Sequence, residues 1–239
     1  TLSSSSAASD VYKRQGMVKP VAAVFDVFGT LIKIEERRDP YLHLLRHGRT
    51  QGVSLNREKV EMLMTCELDW GDAASALAIR VGYVKLHALD RLLNEELASM
   101  TLYPDAHEAI ALLQGAGIKV GLCSNLASGY GAAVRELLPR LDAYGFSYEI
   151  GAMKPDPIIY RSVCRDLGVQ PGQQLGGDRV VMVGDSIRCD RDGARAAGLA
   201  GFHLSRTGRG DFSNLIEFAN AVSVSYTHLT LPTKRIVKI

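Results

Sequence analysis

Apolar residues along this chain fall into two kinds of pattern that take turns. Short, nearly unbroken apolar runs stop abruptly at polar clusters. Val21–Phe25 ends at Asp26, Ile118–Cys123 at Ser124-Asn125, Val180–Val183 at Gly184-Asp185-Ser186, and Gly201–Leu204 at Ser205-Arg206. Runs of this length predict strands buried on both faces. Helical spacing occupies the intervals, over Ala106–Gln114, Gly131–Leu138, Pro157–Leu167 and Arg191–Ala197. Gly115, Gly168 and Gly198 follow three of these as stop signals, and Pro139 stops the second. Strands alternating with helices of about ten residues predict βαβ units, hence a parallel sheet with helices on both faces.

Residues 33–100 differ in character. Pro40–Arg46, Arg57–Asp69, Ala73–Ile79 and Lys85–Leu97 each place apolar residues at helical spacing, with no strand-like run between them. They predict an all-helical insert between the first strand and the rest of the sheet. The core then comprises residues 17–32 and 101–222.

The two ends lack either pattern. Residues 1–16 begin TLSSSSAASDVYKRQ, and residues 223–239 read SVSYTHLTLPTKRIVKI. Both resemble translated adapter or vector sequence and are expected to be non-native extensions, outside the fold. This changes the charge. The whole chain carries 28 basic and 26 acidic residues, a net +2. Without Lys13, Arg14, Lys234, Arg235, Lys238 and Asp10, residues 17–222 carry 23 basic and 25 acidic ones, a net −2. No basic patch for nucleic acid is expected in such a chain. No apolar stretch approaches the roughly 18 residues that a membrane helix needs, so no membrane partner is expected. Cys66, Cys123, Cys164 and Cys189 are scattered without zinc-site or CxxC spacing, which points to a reducing, cytoplasmic setting.

The polar clusters share one location, the carboxyl ends of predicted strands, where open α/β sheets bind ligands. Asp26-Val-Phe-Gly-Thr-Leu31 places a carboxylate beside a tight glycine turn, suited to nucleophilic attack near anion-holding N–H groups. Ser124 and Asn125 offer a hydroxyl and an amide. Lys154, in Met153-Lys-Pro-Asp-Pro157, supplies a cation just before a helix. Gly184-Asp-Ser-Ile-Arg-Cys-Asp190 adds two acids. Taken singly, each has a plainer account: a turn-capping aspartate, a solvated lysine, a helix-start acid.

In this order and context the four clusters resemble the haloacid dehalogenase superfamily of hydrolases and phosphotransferases, over about Val21 to Ser205. The resemblance implies a Rossmann-like parallel sheet core, with residues 33–100 as a helical cap. It implies that Asp26 is the nucleophile of an aspartyl-enzyme intermediate and that Lys154 steadies it. Thr30, Ser124 and Asn125 would bind the transferring group. Asp26, Asp185 and the main-chain carbonyl of Phe28 would hold Mg²⁺, with Asp190 in support. Hard carboxylate oxygens suit that ion. The substrate implied is a small anionic molecule, and the pattern specifies no oligomeric state.

Phe28 departs from the family. Phosphatases of this type carry a second aspartate there, which protonates the leaving oxygen. The dehalogenase branch has an aromatic residue instead, because halide leaves without a proton. That branch, however, replaces the metal-binding acid kept here as Asp185, and its arginine-glutamine-leucine-aromatic run is missing, leaving Arg37, Arg38, Arg49 and Arg57 as candidates. Three readings follow: a Mg²⁺-dependent phosphate-ester hydrolase with weak general-acid help, a metal-independent 2-haloacid dehalogenase-like hydrolase, and a low-turnover binder of phosphate ligands.

Overall fold

The computed structural model describes residues 20–172 and 179–224. Strand β1 (Ala22–Phe25) leads through the Asp26 loop into β2 (Ile32–Ile34). The insert follows as α1 (Pro40–Thr50), α2 (Arg57–Thr65), α3 (Trp70–Ala76) and α4 (Tyr83–Ala98). Strand β3 (Met100–Leu102) then returns antiparallel to β2. The core resumes with α5 (Ala106–Gly115), β4 (Lys119–Ser124), α6 (Ser128–Leu137), β5 (Ala143–Phe146), α7 (Ser147–Ile150) and α8 (Pro157–Asp166). After β6 (Val180–Gly184) a π-helical turn over Ile187–Gly193 runs into the short α9 (Ala194–Ala196). β7 (Ala200–His203) and α10 (Leu215–Val224) complete the described residues.

Five strands form one parallel sheet in the order β5-β4-β1-β6-β7. The alternation of side chains across it is sharp. Ala23 and Phe25 join Val120, Leu122, Val181 and Val183 in a core under α5, α6 and α10. Ala22 and Val24 join Cys123, Val180 and Met182 in the opposite core, under α8 and α9. The central strands β1 and β6 are therefore free of polar side chains, because both faces are covered. The insert has its own small core around Leu44, Leu63, Ala73, Leu77 and Leu89.

Local boundaries differ from the expected ones for readable reasons. The helix expected over Arg57–Asp69 stops at Thr65, because Asp69 instead caps α3, accepting the N–H of Asp72 at 2.8 Å. The helix expected from Gly131 begins three residues earlier, at Ser128. The one expected from Arg191 begins as the π-helical turn at Ile187. Strands β2, β3 and β5 went unpredicted, as did α10. That last helix runs past the expected boundary at 222, and Ser223 donates to the carbonyl of Ala219 at 2.5 Å. Residues 1–16 and 225–239 lie outside the described residues. Among those described, no helix is long and apolar enough to cross a membrane.

Candidate active site

The three central strands bring the expected residues to one edge. Asp26 follows β1 directly, and its N–H bonds to the carbonyl of Val183 at 3.0 Å, which locks the loop to β6. Asp26 is 7% exposed. Lys154 is 6% exposed and donates from Nζ to Asp26 Oδ1 and Asp190 Oδ1, each at 2.7 Å. Asp190 is fully buried, and its other oxygen accepts the N–H of Ser186 at 2.9 Å. One ammonium thus lies between two carboxylates in a desolvated pocket. Burial alone would push the Lys154 pKa down, but the charges of Asp26 and Asp190 outweigh it and raise it. Lys154 is a fixed cation. Burial, with Asp26 nearby, pushes the Asp190 carboxyl up.

Asp185 ends β6 on the open side of this triad. One carboxylate oxygen each from Asp26, Asp185 and Asp190 lies within 4.8 Å of the others. What desolvation Asp185 meets, together with the charge of Asp26, raises its carboxyl above the ordinary value. The cluster is tight because two glycines admit it. A Cβ on Gly29, whose φ is +81°, would overlap the Asp185 carboxylate, and one on Gly184 would overlap Asp190. Crowded hard oxygens around an open position form a donor set that fits Mg²⁺.

Thr30 and Ser124 are buried at the ends of the Asp26 loop and β4. The Thr30 hydroxyl has no hydrogen-bond partner, which for a fully buried group is costly unless a ligand completes it. Asn125, expected as a ligand-binding amide, instead clamps the main chain of Lys154: Nδ2 donates to its carbonyl at 3.0 Å and Oδ1 accepts its N–H at 2.7 Å. This geometry sets where the lysine starts, and it leaves one amide hydrogen for anything else.

Phe28 is half-buried and meets the ring of Tyr130 edge-on, 5.5 Å between centroids at 77°. Tyr130, on α6, donates to Glu96 of the insert at 3.0 Å. Glu96 is 2% exposed, and its second oxygen accepts the N–H groups of Arg38 and Asp39, both at 2.7 Å. Tyr41 of the insert accepts the N–H of Gly129 at 3.1 Å, and Ser128 donates to the carbonyl of Leu68 at 2.7 Å. The first turn of α6 is therefore where insert and core are tied. Burial first, then the charge of Glu96, pushes the Tyr130 phenol far up, and its proton is given in a hydrogen bond to Glu96 rather than to the Asp26 loop. Of the four candidate arginines, Arg38 pairs with Glu36 and Glu95, and Arg57 with Glu61. Arg37 is exposed beside the Phe28 cleft.

Glu96 escaped the sequence reading although a signal existed, and Arg206 was named there only as the polar end of an apolar run. Glu96 continues the buried stripe of Leu89 and Leu93 on α4, so it was legible as a carboxylate at an apolar position. Arg206 follows β7 at the same sheet edge as the other clusters, and it donates to the carbonyl of Thr30 at 2.9 Å.

Between α2 and the Lys154 loop lies a cleft of about 1000 Å³, lined by Met62 and Thr65 on one side and Met153 and Arg188 on the other; Asp26, Thr30, Ser124 and Asp185 do not line it.

A profile described as haloacid dehalogenase-like hydrolase matches residues 21–198, and the chain belongs to that family. Among curated relatives, phosphoglycolate phosphatase of Rhodospirillum rubrum is 34% identical over 109 residues, covering 44% of this chain and 42% of the relative. (S)-2-haloacid dehalogenase 4A of Burkholderia cepacia is 28% identical over 176 residues, covering 64% of this chain and 71% of the relative. The chain spans less than half the length of the curated phosphatases it matches. Among solved structures, a phosphatase of this superfamily from Thermococcus onnurineus aligns with a TM-score of 0.54 at 26% identity, covering 84% of this chain and 96% of that one.

Proposed function

We propose that the protein is a Mg²⁺-dependent phosphate-ester hydrolase working through an aspartyl phosphate on Asp26. The observation that carries this reading is the buried Lys154 cation joining Asp26 to Asp190, with Asp185 packed against Gly29 beside them. Asp26, Asp185 and the carbonyl of Phe28 would hold the ion, which when bound would neutralise charge between the carboxylates and a phosphoryl group.

Lys154 engages Oδ1 of Asp26, so Oδ2 is the attacking oxygen. A bond forms from that oxygen to phosphorus while the bond to the leaving oxygen breaks. Thr30 and Ser124 donate to the phosphoryl oxygens, which answers the unpartnered Thr30 hydroxyl. Water then attacks the aspartyl phosphate, releasing phosphate and restoring the carboxylate. Residues 33–100 act as a cap over this chemistry.

Phe28 decides the leaving group. General acid help contributes typically 10²–10⁴-fold, and a phenyl ring supplies none. The leaving oxygen departs as an anion, which favours activated aryl or acyl phosphates over alkyl ones. A second reading, dehalogenation of a small 2-haloacid, is supported by Phe28 and by the likeness to the Burkholderia enzyme. One experiment separates them: turnover of 4-nitrophenyl phosphate, an alkyl phosphate and 2-chloropropionate, each with Mg²⁺ and with chelator. The expected result is Mg²⁺-dependent turnover of the aryl ester alone, abolished by Asp26→Asn, with Phe28→Asp raising alkyl-ester turnover. Halide release in chelator with all phosphates ignored would establish the second reading instead.

A further inference from the structure

Beside the Asp26 loop, core and insert together line a separate, open cleft of about 220 Å³. Phe28, only two residues from Asp26, forms part of its wall, and Asn125, which clamps Lys154, lies on its rim. The cleft therefore adjoins the Asp26 loop.

Its wall is mainly aromatic and apolar. Phe28 and Tyr130 meet edge-on, and Tyr130 and Tyr41 sit 6.0 Å apart with planes tilted by 35°. Met64, Leu126 and Ile34 add apolar surface, and Arg37 and Asp39 are charged members of the lining. These rings are fixed before any ligand arrives. Tyr130 is held by Glu96, Tyr41 by the N–H of Gly129, and Tyr41 also packs on Trp70 with centroids 4.6 Å apart. The carboxylate of Glu96, already accepting three hydrogen bonds, has its charge met from within the protein. Rigid aromatic walls at these separations favour edge-to-face or offset contact with another ring.

Size sharpens the choice. Sites for drug-sized ligands measure roughly 300–1,000 Å³, and this cleft is smaller. An apolar cavity of roughly 150 Å³ takes benzene, so 220 Å³ takes one ring with a small substituent. That volume matches a single ring better than a nucleoside or a fused two-ring group.

We propose that this cleft is the leaving-group pocket and that it selects single-ring aryl phosphate esters. The proposal rests on the phosphate-hydrolase reading and narrows it. Two independent features converge. The absent acid at Phe28 calls for a leaving group stable as an anion, and the cleft calls for a small flat ring. A phenolate is both.

Binding of non-hydrolysable analogues tests the pocket apart from leaving-group chemistry. With Mg²⁺ present, the affinities of inorganic phosphate, methylphosphonate, phenylphosphonate and 1-naphthylphosphonate are measured by calorimetry or thermal shift. Phenylphosphonate is expected to bind at least about tenfold more tightly than methylphosphonate, since a ring leaves water. The naphthyl compound is expected to gain nothing over methyl. Met64→Trp, which fills the cleft, should erase the phenyl-over-methyl difference, and Met64→Ala should let the naphthyl compound bind. Equal affinity for methyl and phenyl compounds, with phosphate bound, overturns the pocket and leaves the phosphate reading standing. Naphthyl binding as good as phenyl in the wild type overturns the single-ring selection. Failure of all four ligands to bind overturns the phosphate reading, and the pocket with it.

Discussion

The guanidinium of Arg206 donates to the main-chain carbonyl of Thr30 at 2.9 Å, joining the loop after β7 to the loop after β1. Its other contacts hold it there. It makes bonds of 2.9 and 3.0 Å to the two oxygens of Asp105 and lies 3.8 Å over the ring of Tyr103. A planar fork that also stacks has no lysine equivalent. Arg206→Ala is expected to lose about 1–3 kcal/mol, read as a lower urea midpoint with unchanged slope, and Arg206→Lys should recover little of it. Full recovery by lysine would show that only the charge mattered.

Asp105 gives this clamp a pH dependence. Burial pushes its carboxyl up, but Arg206 and the N–H of Leu215 outweigh burial and hold it below the ordinary value. A carboxylate depressed in the folded state contributes stability above its unfolded pKa, about 3.9, and loses that contribution as pH falls through the lower folded value. Asp105→Asn should therefore be less stable than wild type at pH 7, and the gap should narrow as pH falls below about 4. Urea titrations at pH 7 and pH 3 compare the two, and a gap of the same size at both would exclude the charge as its source.

Lys154 is the cation whose loss the fold can least absorb. Lys154→Met leaves Asp26 and Asp190 facing each other across a dry gap, a change expected to destabilise by about 3–5 kcal/mol. Adding Asp190→Asn to that variant removes one of the opposed charges and should restore part of the loss. The melting temperatures of the two variants give the answer directly, and a double variant no more stable than the single one would locate the loss in packing.

Glu96 and Tyr130 join insert to core, and a double-mutant cycle measures the tie. Glu96→Gln, Tyr130→Phe and the pair are expected to show a coupling energy of about 1–2 kcal/mol in unfolding, as for a hydrogen bond to a charged group. Additive effects would mean that the two residues act independently despite their contact.

Much of this fold is legible in the sequence. β1, β4 and β6 announced themselves because the sheet is covered on both sides, leaving no polar position inside them. The polar residues that end them, Asp26, Ser124 and Asp185, were legible for the same reason. β5 was not: Ala-Tyr-Gly-Phe is a four-residue edge strand, and Gly145 lies where a Cβ would overlap Val163. The strands β2 and β3 are three residues each, too short for a period to show. The π-helical turn at Ile187 was hidden by its polar start, Ile-Arg-Cys-Asp. Residues that act between insert and core were harder still. Nothing near Tyr130 in sequence says that Phe28 and Glu96, 102 and 34 positions away, will be its neighbours.

The β2–β3 ribbon bears on inheritance as well as on architecture. Ile34 pairs with Met100, Glu35 donates its N–H to the carbonyl of Ser99 at 3.2 Å, and Thr101 reaches the Glu35 side chain. The two strands through which the chain leaves and re-enters the core lie one ladder apart, so the core meets residues 36–98 as it would meet a hairpin turn. Doubling the length of such a closed loop costs only about 0.6 kcal/mol. An insert of another size or shape, grafted between Ile34 and Met100, would leave the sheet and its row of carboxylates nearly undisturbed. The insert's share of the cleft beside Phe28 can then vary apart from the sheet, and a laboratory exchange of inserts among relatives can begin at that seam.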